Sequence, residues 1–453
     1  MKADTPRNLA LRVLNDLSRK PGFSASSLDS LFRSGPPLEE RDRALISQLV
    51  QGSIRWRARL DWTIVQASDV SLKKISPPVL NLLRLALYQI LFLDRVPESA
   101  AVNEAVKQAK KKNPSYVVSF VNAVLRNVCR NKEQISFPDR GKAPVEYLST
   151  FYSYPQWLAE KWIREWGIDT AEALCEAQNR IPVLTIRANT LKLGREDLLR
   201  RLEEESGIKG KTTTHAPQGA HVADLKGRVD KNKAFQEGLF QVQDEAAQLT
   251  SFLLSPAAGE TVLDLCAGYG GKTTHLAELM RDQGRVIALD MNRTRLVSLA
   301  ANTVRLGIKI AAAVAADASK DLASLFRVRF DRIVVDAPCS GLGVLSRHPD
   351  GKWLKKEEDI PRLAQLQKAI LNSGCSVLRR GGSLLYVTCT LSREENEEVV
   401  EACLAGNKDI CLLDLRDRAP LWAKDLIDDR GFLRTFPHRH GMDGFFGALL
   451  RKN

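Results

Sequence analysis

The chain reads as three parts. These are an all-α bundle over residues 1–142, a small α+β piece over 143–242, and a C-terminal α/β Rossmann-like domain with a parallel sheet over 243–453. Three observations predict this. Apolar residues recur at helical spacing through residues 5–131, without β-branched alternation. From residue 243 strands and helices alternate regularly, the pattern of a parallel sheet. Within that alternation an apolar run, Val262–Cys266, passes through Gly268, Gly270 and Gly271 into a helical stretch from Lys272 to Met280. Strand, glycine turn and helix make the opening of a nucleotide-type site.

Residues 5–131 carry helical patterns at Asn8–Leu17, Arg41–Ala58, Pro78–Leu93, Ser99–Lys112 and Ser115–Asn131. Pro77-Pro78 marks a helix start, where a fixed φ suits the first turn. Lys107, Lys110, Lys111, Lys112, Arg126 and Arg130 give this bundle a basic face. A charge run on a helix is ordinarily a solvated face. Its company here, the tryptophans and arginines of IRWRARLDW, also suits nucleic acid. Ile135–Val145, with Pro138, Gly141 and Pro144, reads as a linker. Tyr147–Trp166 reads as one amphipathic helix, Pro182–Asn189 as a strand with a basic residue near its end, Arg195–Glu204 as a helix and 238–244 as a strand. This middle segment is either a sheet-based RNA-contact module or a structural bridge.

The α/β part then gives strands at Arg285–Asp290, Ile310–Ala316, Asp331–Asp336 and Ser383–Cys389. Helices fall at Thr294–Leu306, Ile360–Leu378 and Glu394–Leu404, and Phe445–Arg451 is expected to close the sheet as an edge strand.

Composition narrows the function classes. A chain of 453 residues has room for two or three cores. No stretch of about 18 uncharged apolar residues occurs, so no membrane span is expected. The start, MKADTPRNLALRVL, lacks the apolar centre of a signal peptide, so the expected location is cytoplasmic. The eight cysteines form no C-x-x-C pair, which argues against a structural zinc, and are too thinly spread for a disulfide scaffold. Free thiols in a reducing compartment fit best. Residues 1–142 hold 24 Lys and Arg against 13 Asp and Glu, so 11 of the 13 net positive charges arise there. That asymmetry suggests a polyanionic partner, with solubility as the plainer reading.

The glycine turn excludes two ligand classes. A phosphate P-loop needs glycine five residues before Gly271, where Cys266 stands, and the dinucleotide G-x-G-x-x-G fails at Thr273. What remains, Asp264-x-x-x-Gly268-x-Gly270, is also what a tight turn in another α/β domain would show. The downstream acids decide. Asp264, Asp290, Asp317 and Asp336 fall at or just beyond strand ends, where ligands bind in such sheets. Any one of them could be a helix N-cap. Four in successive turns favour a nucleoside, with Asp290 on ribose hydroxyls and Asp317 near an adenine amino group. S-adenosyl-L-methionine fits better than NAD, because it carries adenosine and an amino acid without a pyrophosphate.

Cys339 in Asp336-Ala337-Pro338-Cys339 and Cys389 in Thr388-Cys389-Thr390 also end strands. Buried cysteine is commonly a small hydrophobe. Cytosine chemistry supplies another reason for both: carbon 5 is a poor nucleophile until a thiolate adds to carbon 6. That thiol needs a helix N-terminus or a cation nearby, for which Lys272 is a candidate.

The segments CAGYGGKTTHL, DAPCSGLGVLSRHPDGKW and YVTCTLSREENEEVV, with the ending FPHRHGMDGFFGALLRK, resemble the RNA 5-methylcytosine methyltransferases of the RsmB (Fmu/Sun) group. RVPESAAVNEAVKQAKK and FVNAVLRNV resemble its NusB-like RNA-binding domain. The resemblance implies a class I methyltransferase domain behind a NusB-like bundle, with Cys389 as nucleophile and Cys339 assisting product release. It also implies Cys266, Ala267, Gly268, Tyr269, Gly270, Gly271 and Lys272 around the methionine part of the cofactor. Asp290 would hold the ribose, Asp317 the adenine side, and Asp336 would stand between cofactor and base. Tyr269 departs from the family's usual proline, and Gly268 from its commoner alanine. Leu391-Ser392-Arg393 departs from a usual proline-containing version. The implied activity is cytosine-5 methylation of small-subunit ribosomal RNA; separately, a monomer without metal is expected. A non-catalytic RNA assembly factor and a methyltransferase acting on transfer RNA or protein are the other classes.

Overall fold

The structure, a computed structural model, describes residues 5–223, 225 and 229–453. It divides into two compact units. One holds the chain up to Arg180 together with Leu345–Glu357; the other holds Ile181–Val344 and Glu358–Asn453.

The first unit is helical. Pro77–Phe92 is its centre, apolar on nearly every face and opened by proline in its first turn. Around it Leu9, Val13, Ile46, Leu49, Val102, Val121 and Leu125 complete one core with Leu82 and Leu83. The expected helix Arg41–Ala58 is two, Glu40–Arg55 and Arg57–Gln66. Trp56 leaves helical geometry between them (φ −103°, ψ 17°), and its indole stacks on Phe92 at 4.6 Å. The apolar spacing runs through the break, which hid it. Ser24–Ser34 is a further helix that the pattern did not show. The expected helix Tyr147–Trp166 is also two, Pro144–Phe151 and Gln156–Asn179, because Ser153 takes a left-handed step (φ 62°) between them and Pro155 caps the second in extended geometry. The longer one bends at Gly167, at φ 76°.

Leu345–Glu357 is bound into this unit by buried basic side chains that donate to carbonyls. Lys352 reaches Arg55 O, Ser153 O and Asn179 Oδ1 at 3.2, 3.1 and 2.6 Å, and Arg55 reaches Ser346 O at 2.7 Å.

The second unit has two sheets. The smaller comprises β1 (Leu184–Ala188), β2 (Gly210–Thr212), β3 (Gly219–Val222) and β4 (Phe240–Val242), antiparallel in the order β2-β3-β1-β4. The larger comprises β5 (Thr261–Leu265), β6 (Arg285–Asp290), β7 (Ala311–Ala315), β8 (Phe330–Asp336), β9 (Leu378–Thr388), β10 (Ile410–Leu413), β11 (Leu433–Arg434) and β12 (Phe446–Lys452). Its order is β10-β12-β9-β8-β5-β6-β7, with β11 beside β12.

β5 to β9 are mutually parallel, so their carboxyl ends share one edge. The final strand corrects the edge-strand expectation. β12 pairs antiparallel with β9 on one side and β10 on the other, and Phe446–Leu450 are all buried. A strand covered on both faces reads as a continuous apolar run, and nothing in such a run says which side remains unpaired. Another unanticipated element, the helix Glu245–Leu254, packs on this sheet through Leu249, Leu253 and Leu254.

Candidate active site

The site is built where β5, β6, β8 and β9 end. β5 leads into Cys266, which takes φ 65°, followed by Gly268 at 58° and Gly270 at 83°. These left-handed steps turn the chain within five residues into the helix Gly271–Leu279. Gly270 has a second constraint, since a Cβ there would stand 2.7 Å from Leu299 Cγ. Tyr269, at the tip, is 64% exposed, with the Arg295 guanidinium 5.8 Å from its ring. Its side chain therefore stands outside the turn, which needs no proline there. Ala267 N donates to Leu289 O at 2.9 Å, holding the loop against β6.

The four acids have different surroundings. Asp290 accepts from Gly268 N at 2.8 Å and Asn292 N at 2.7 Å, so it shapes the loop as well as facing it. Asp317 accepts from Ser319 N and Oγ, which hold its carboxyl below the ordinary range. Asp336 meets Lys272 Nζ at 2.6 Å. Asp264 is fully buried. One oxygen takes the Thr273 hydroxyl at 2.6 Å, and the other has no partner among the described residues. Burial pushes its pKa up to about 7. The acids belong to one neighbourhood: the Cys266 thiol is pushed up by burial first, then by Asp336, Asp264, Asp290 and Asp317.

Lys272 is not free to serve a thiol alone. Its ammonium lies on Asp336, with the Phe445 ring 5.4 Å away.

Cys339 follows β8 and Cys389 follows β9. Their sulfurs are 3.3 Å apart, and neither residue is fully buried. Contact with Cys389, then burial, pushes the Cys339 thiol well above its ordinary value.

A profile of the family "16S rRNA methyltransferase RsmB/F" matches residues 251–451. A NusB family profile matches 4–130, and an RsmF/B-like ferredoxin-like domain matches 154–225. A protein of Bacillus subtilis named "Probable ribosomal RNA small subunit methyltransferase B" is 37% identical over 100% of both chains. The chain belongs to the RsmB/F family of methyltransferases. The crystal structure of PH0851 covers 99% of each chain at 29% identity and a TM-score of 0.81. NSun6 from Pyrococcus horikoshii, solved with SFG, covers 67% of this chain and 99% of its own at 27% identity and a TM-score of 0.59.

The protein is thus an S-adenosylmethionine-dependent RNA methyltransferase of a NusB-like bundle, a ferredoxin-like subdomain and a methyltransferase domain. The donor set suits that cofactor, with carboxylates at the ends of β6 and β8 and, in Asp264, a buried carboxyl oxygen without a partner among the described residues.

Two features of this RsmB/F site, one of them a pair of neighbouring residues, were not singled out by sequence reasoning. Glu395 is buried under both cysteine loops. It accepts from Ser340 N at 2.8 Å and Gln367 Nε2 at 3.0 Å, and from the hydroxyls of Ser340 and Thr390. Next to it Asn396 binds the Thr388 hydroxyl and donates to Thr390 O at 3.1 Å. Glu394-Glu395-Asn396 looks in sequence like an acidic helix start, and only the three-dimensional pairing reveals the brace.

The other is Arg187 of β1. It is fully buried and pairs with Glu278 at 2.8 Å, and also reaches Gly271 O at 2.9 Å and Thr274 Oγ1 at 3.0 Å. It fastens the small sheet to the helix behind the glycine loop. Among the described residues no helix is long and apolar enough to cross a membrane, and no cluster is suited to hold a metal ion.

Proposed function

We propose that this methyltransferase modifies carbon 5 of a cytosine in small-subunit ribosomal RNA through a covalent adduct on Cys389. The observation that carries the proposal is the 3.3 Å approach of two thiols just past the ends of the adjacent strands β8 and β9, the first of which ends in Asp336. A lone buried cysteine would need no partner, and a disulfide would need an oxidising compartment.

Cys389 Sγ, as thiolate, bonds to carbon 6, and the ring's electron pair moves toward carbon 5, making it nucleophilic. Cys266–Lys272, Asp290 and Asp317 would hold S-adenosylmethionine, which would supply the methyl group to carbon 5 and leave as S-adenosylhomocysteine. A base then takes the carbon-5 proton, the pair restores the ring double bond, and the Cys389 sulfur departs as thiolate. Cys339 keeps its proton and donates a hydrogen bond to that departing sulfur. Asp336, paired with Lys272 at 2.6 Å, holds the base edge. Glu395 and Asn396 position the two cysteine loops. The target base is splayed out of any stack, and residues 1–142 supply a salt-dependent grip on phosphate. The enzyme acts as a cytoplasmic monomer on ribosomal RNA.

RNA containing 5-fluorocytidine tests this, because fluorine blocks the final elimination. We expect an adduct, visible as a shifted band on a denaturing gel, that requires both S-adenosylmethionine and Cys389. An adduct that survives Cys389→Ala moves the nucleophile elsewhere. Bisulfite mapping of ribosomal RNA with and without the protein identifies the base.

A further inference from the structure

The helical unit contains a cavity of about 530 Å³ that the reaction does not use. Its volume lies within the range of small-molecule sites, roughly 300–1,000 Å³. Every residue around it belongs to that unit, including Asp350 and Trp353 from the short helix Gly351–Leu354 and its N-cap.

The polar groups around it are unevenly satisfied. Arg84 is paired bidentately with Asp61 at 2.6 and 2.7 Å. Asp350 already accepts the Ser24 hydroxyl at 2.7 Å. Arg57 and Lys73, both exposed, have no hydrogen bond or ion pair among the described residues. Arg57 lies over the Trp353 ring at 5.2 Å, and Trp353 is fixed by its indole N–H on Ile54 O at 2.8 Å. Ser53 lines the cavity at 2% exposure, and its hydroxyl has no partner there. That hydroxyl is enclosed by protein atoms, so Ser53 forms part of the cavity wall and is not a contact offered to a ligand.

Two cations without an ion pair among the described residues, one of them beside an indole held in place, match the parts of a nucleotide. Guanidinium and ammonium take phosphate, and the aromatic ring takes a base. We propose that this cavity docks one unpaired nucleotide of the substrate RNA, with its phosphate on Arg57 and Lys73 and its base against Trp353. The inference rests on the reading of RNA as substrate. An acidic peptide would use the cations but leave the indole unexplained.

The test uses the full chain and a fluorescent single-stranded octaribonucleotide in a salt titration. Inorganic phosphate, cytidine 5′-monophosphate and polyglutamate serve as competitors. Arg57→Gln should weaken binding about tenfold and flatten the slope of log affinity against log salt by about one. Arg57→Lys should restore the slope and only part of the affinity. If Arg57→Gln melts early, Lys73→Gln reads the same mouth from an exposed position. Photocrosslinking of 4-thiouridine RNA should label the peptide containing Trp353. Unchanged affinity and slope in both neutral variants overturns the proposal. So does competition by phosphate or polyglutamate as strong as by the mononucleotide. Adduct formation by the unaltered enzyme on 5-fluorocytidine RNA reports separately on the catalytic reading.

Discussion

Asp264 sets up a measurable conflict between stability and charge at the heart of the cofactor loop. Its carboxyl is fully buried, has one hydrogen-bond donor, Thr273, and carries a pKa pushed from 3.8 up to about 7. In the unfolded chain the same group ionises near 3.9. Between those values the native state keeps a proton that the unfolded state releases, so the unfolded state binds fewer protons and stability falls as pH rises. The group's full contribution is present below about pH 4 and is lost on passing through pH 7. The difference is about three pKa units, or roughly 4 kcal/mol in all at 1.36 kcal/mol per unit. Between pH 5 and pH 7 it amounts to roughly 2–3 kcal/mol.

Asp264→Asn removes the titration and keeps the shape. The amide adds a fixed cost of about 1–3 kcal/mol if its N–H groups stay unpaired, but that cost does not vary with pH. Urea unfolding of both proteins from pH 5 to pH 8.5 isolates the term, since all other titrating groups cancel in the difference. We expect wild type to lose ground steadily against Asp264→Asn up to pH 7 and to run parallel above it. Curves that run parallel throughout would refute the argument.

Arg187→Met strands the Glu278 carboxylate where neither side chain is exposed, and denaturation should show a loss of about 3–5 kcal/mol. The double change Arg187→Met/Glu278→Leu should recover much of it; no recovery would mean that Gly271 O and Thr274 are the partners that matter. Gly270→Ala meets both a left-handed backbone and Leu299, whereas Gly259→Ala, at φ 89°, meets only the backbone term of about 1–2 kcal/mol. Calorimetric titration with S-adenosylmethionine should show weakened binding for the Gly270 variant and near-normal binding for the other, and equal behaviour would remove the steric reason for that glycine.

What the sequence made legible was whatever repeats with a period or sits at an end. The βα alternation announces itself because each strand is a short apolar run and each helix an amphipathic one, and the acids and cysteines stand where those runs stop. The break at Trp56 escaped for the same reason. A single residue that leaves helical geometry does not disturb the spacing on either side, and the stack on Phe92 that rewards the break is 36 residues away. The position of β12 escaped because antiparallel insertion is decided by which neighbour is available, and its buried pattern is equally consistent with an edge or an interior place.

The same distinction separates the parts of the site. Cys339 and Cys389 could be read from their neighbours in sequence. Glu395 could not: its role depends on Ser340 and Gln367, 55 and 28 residues distant, meeting one carboxylate. Lys272 shows the intermediate case. Its residue type and place in the loop mark it as a functional cation, but the pairing with Asp336 redirects that charge from a thiol to a carboxylate. A motif therefore locates a chemical group, while the long-range hydrogen bonds decide what the group acts on. Rebuilding this site in another chain would require the Glu395 and Asn396 brace along with the two cysteines.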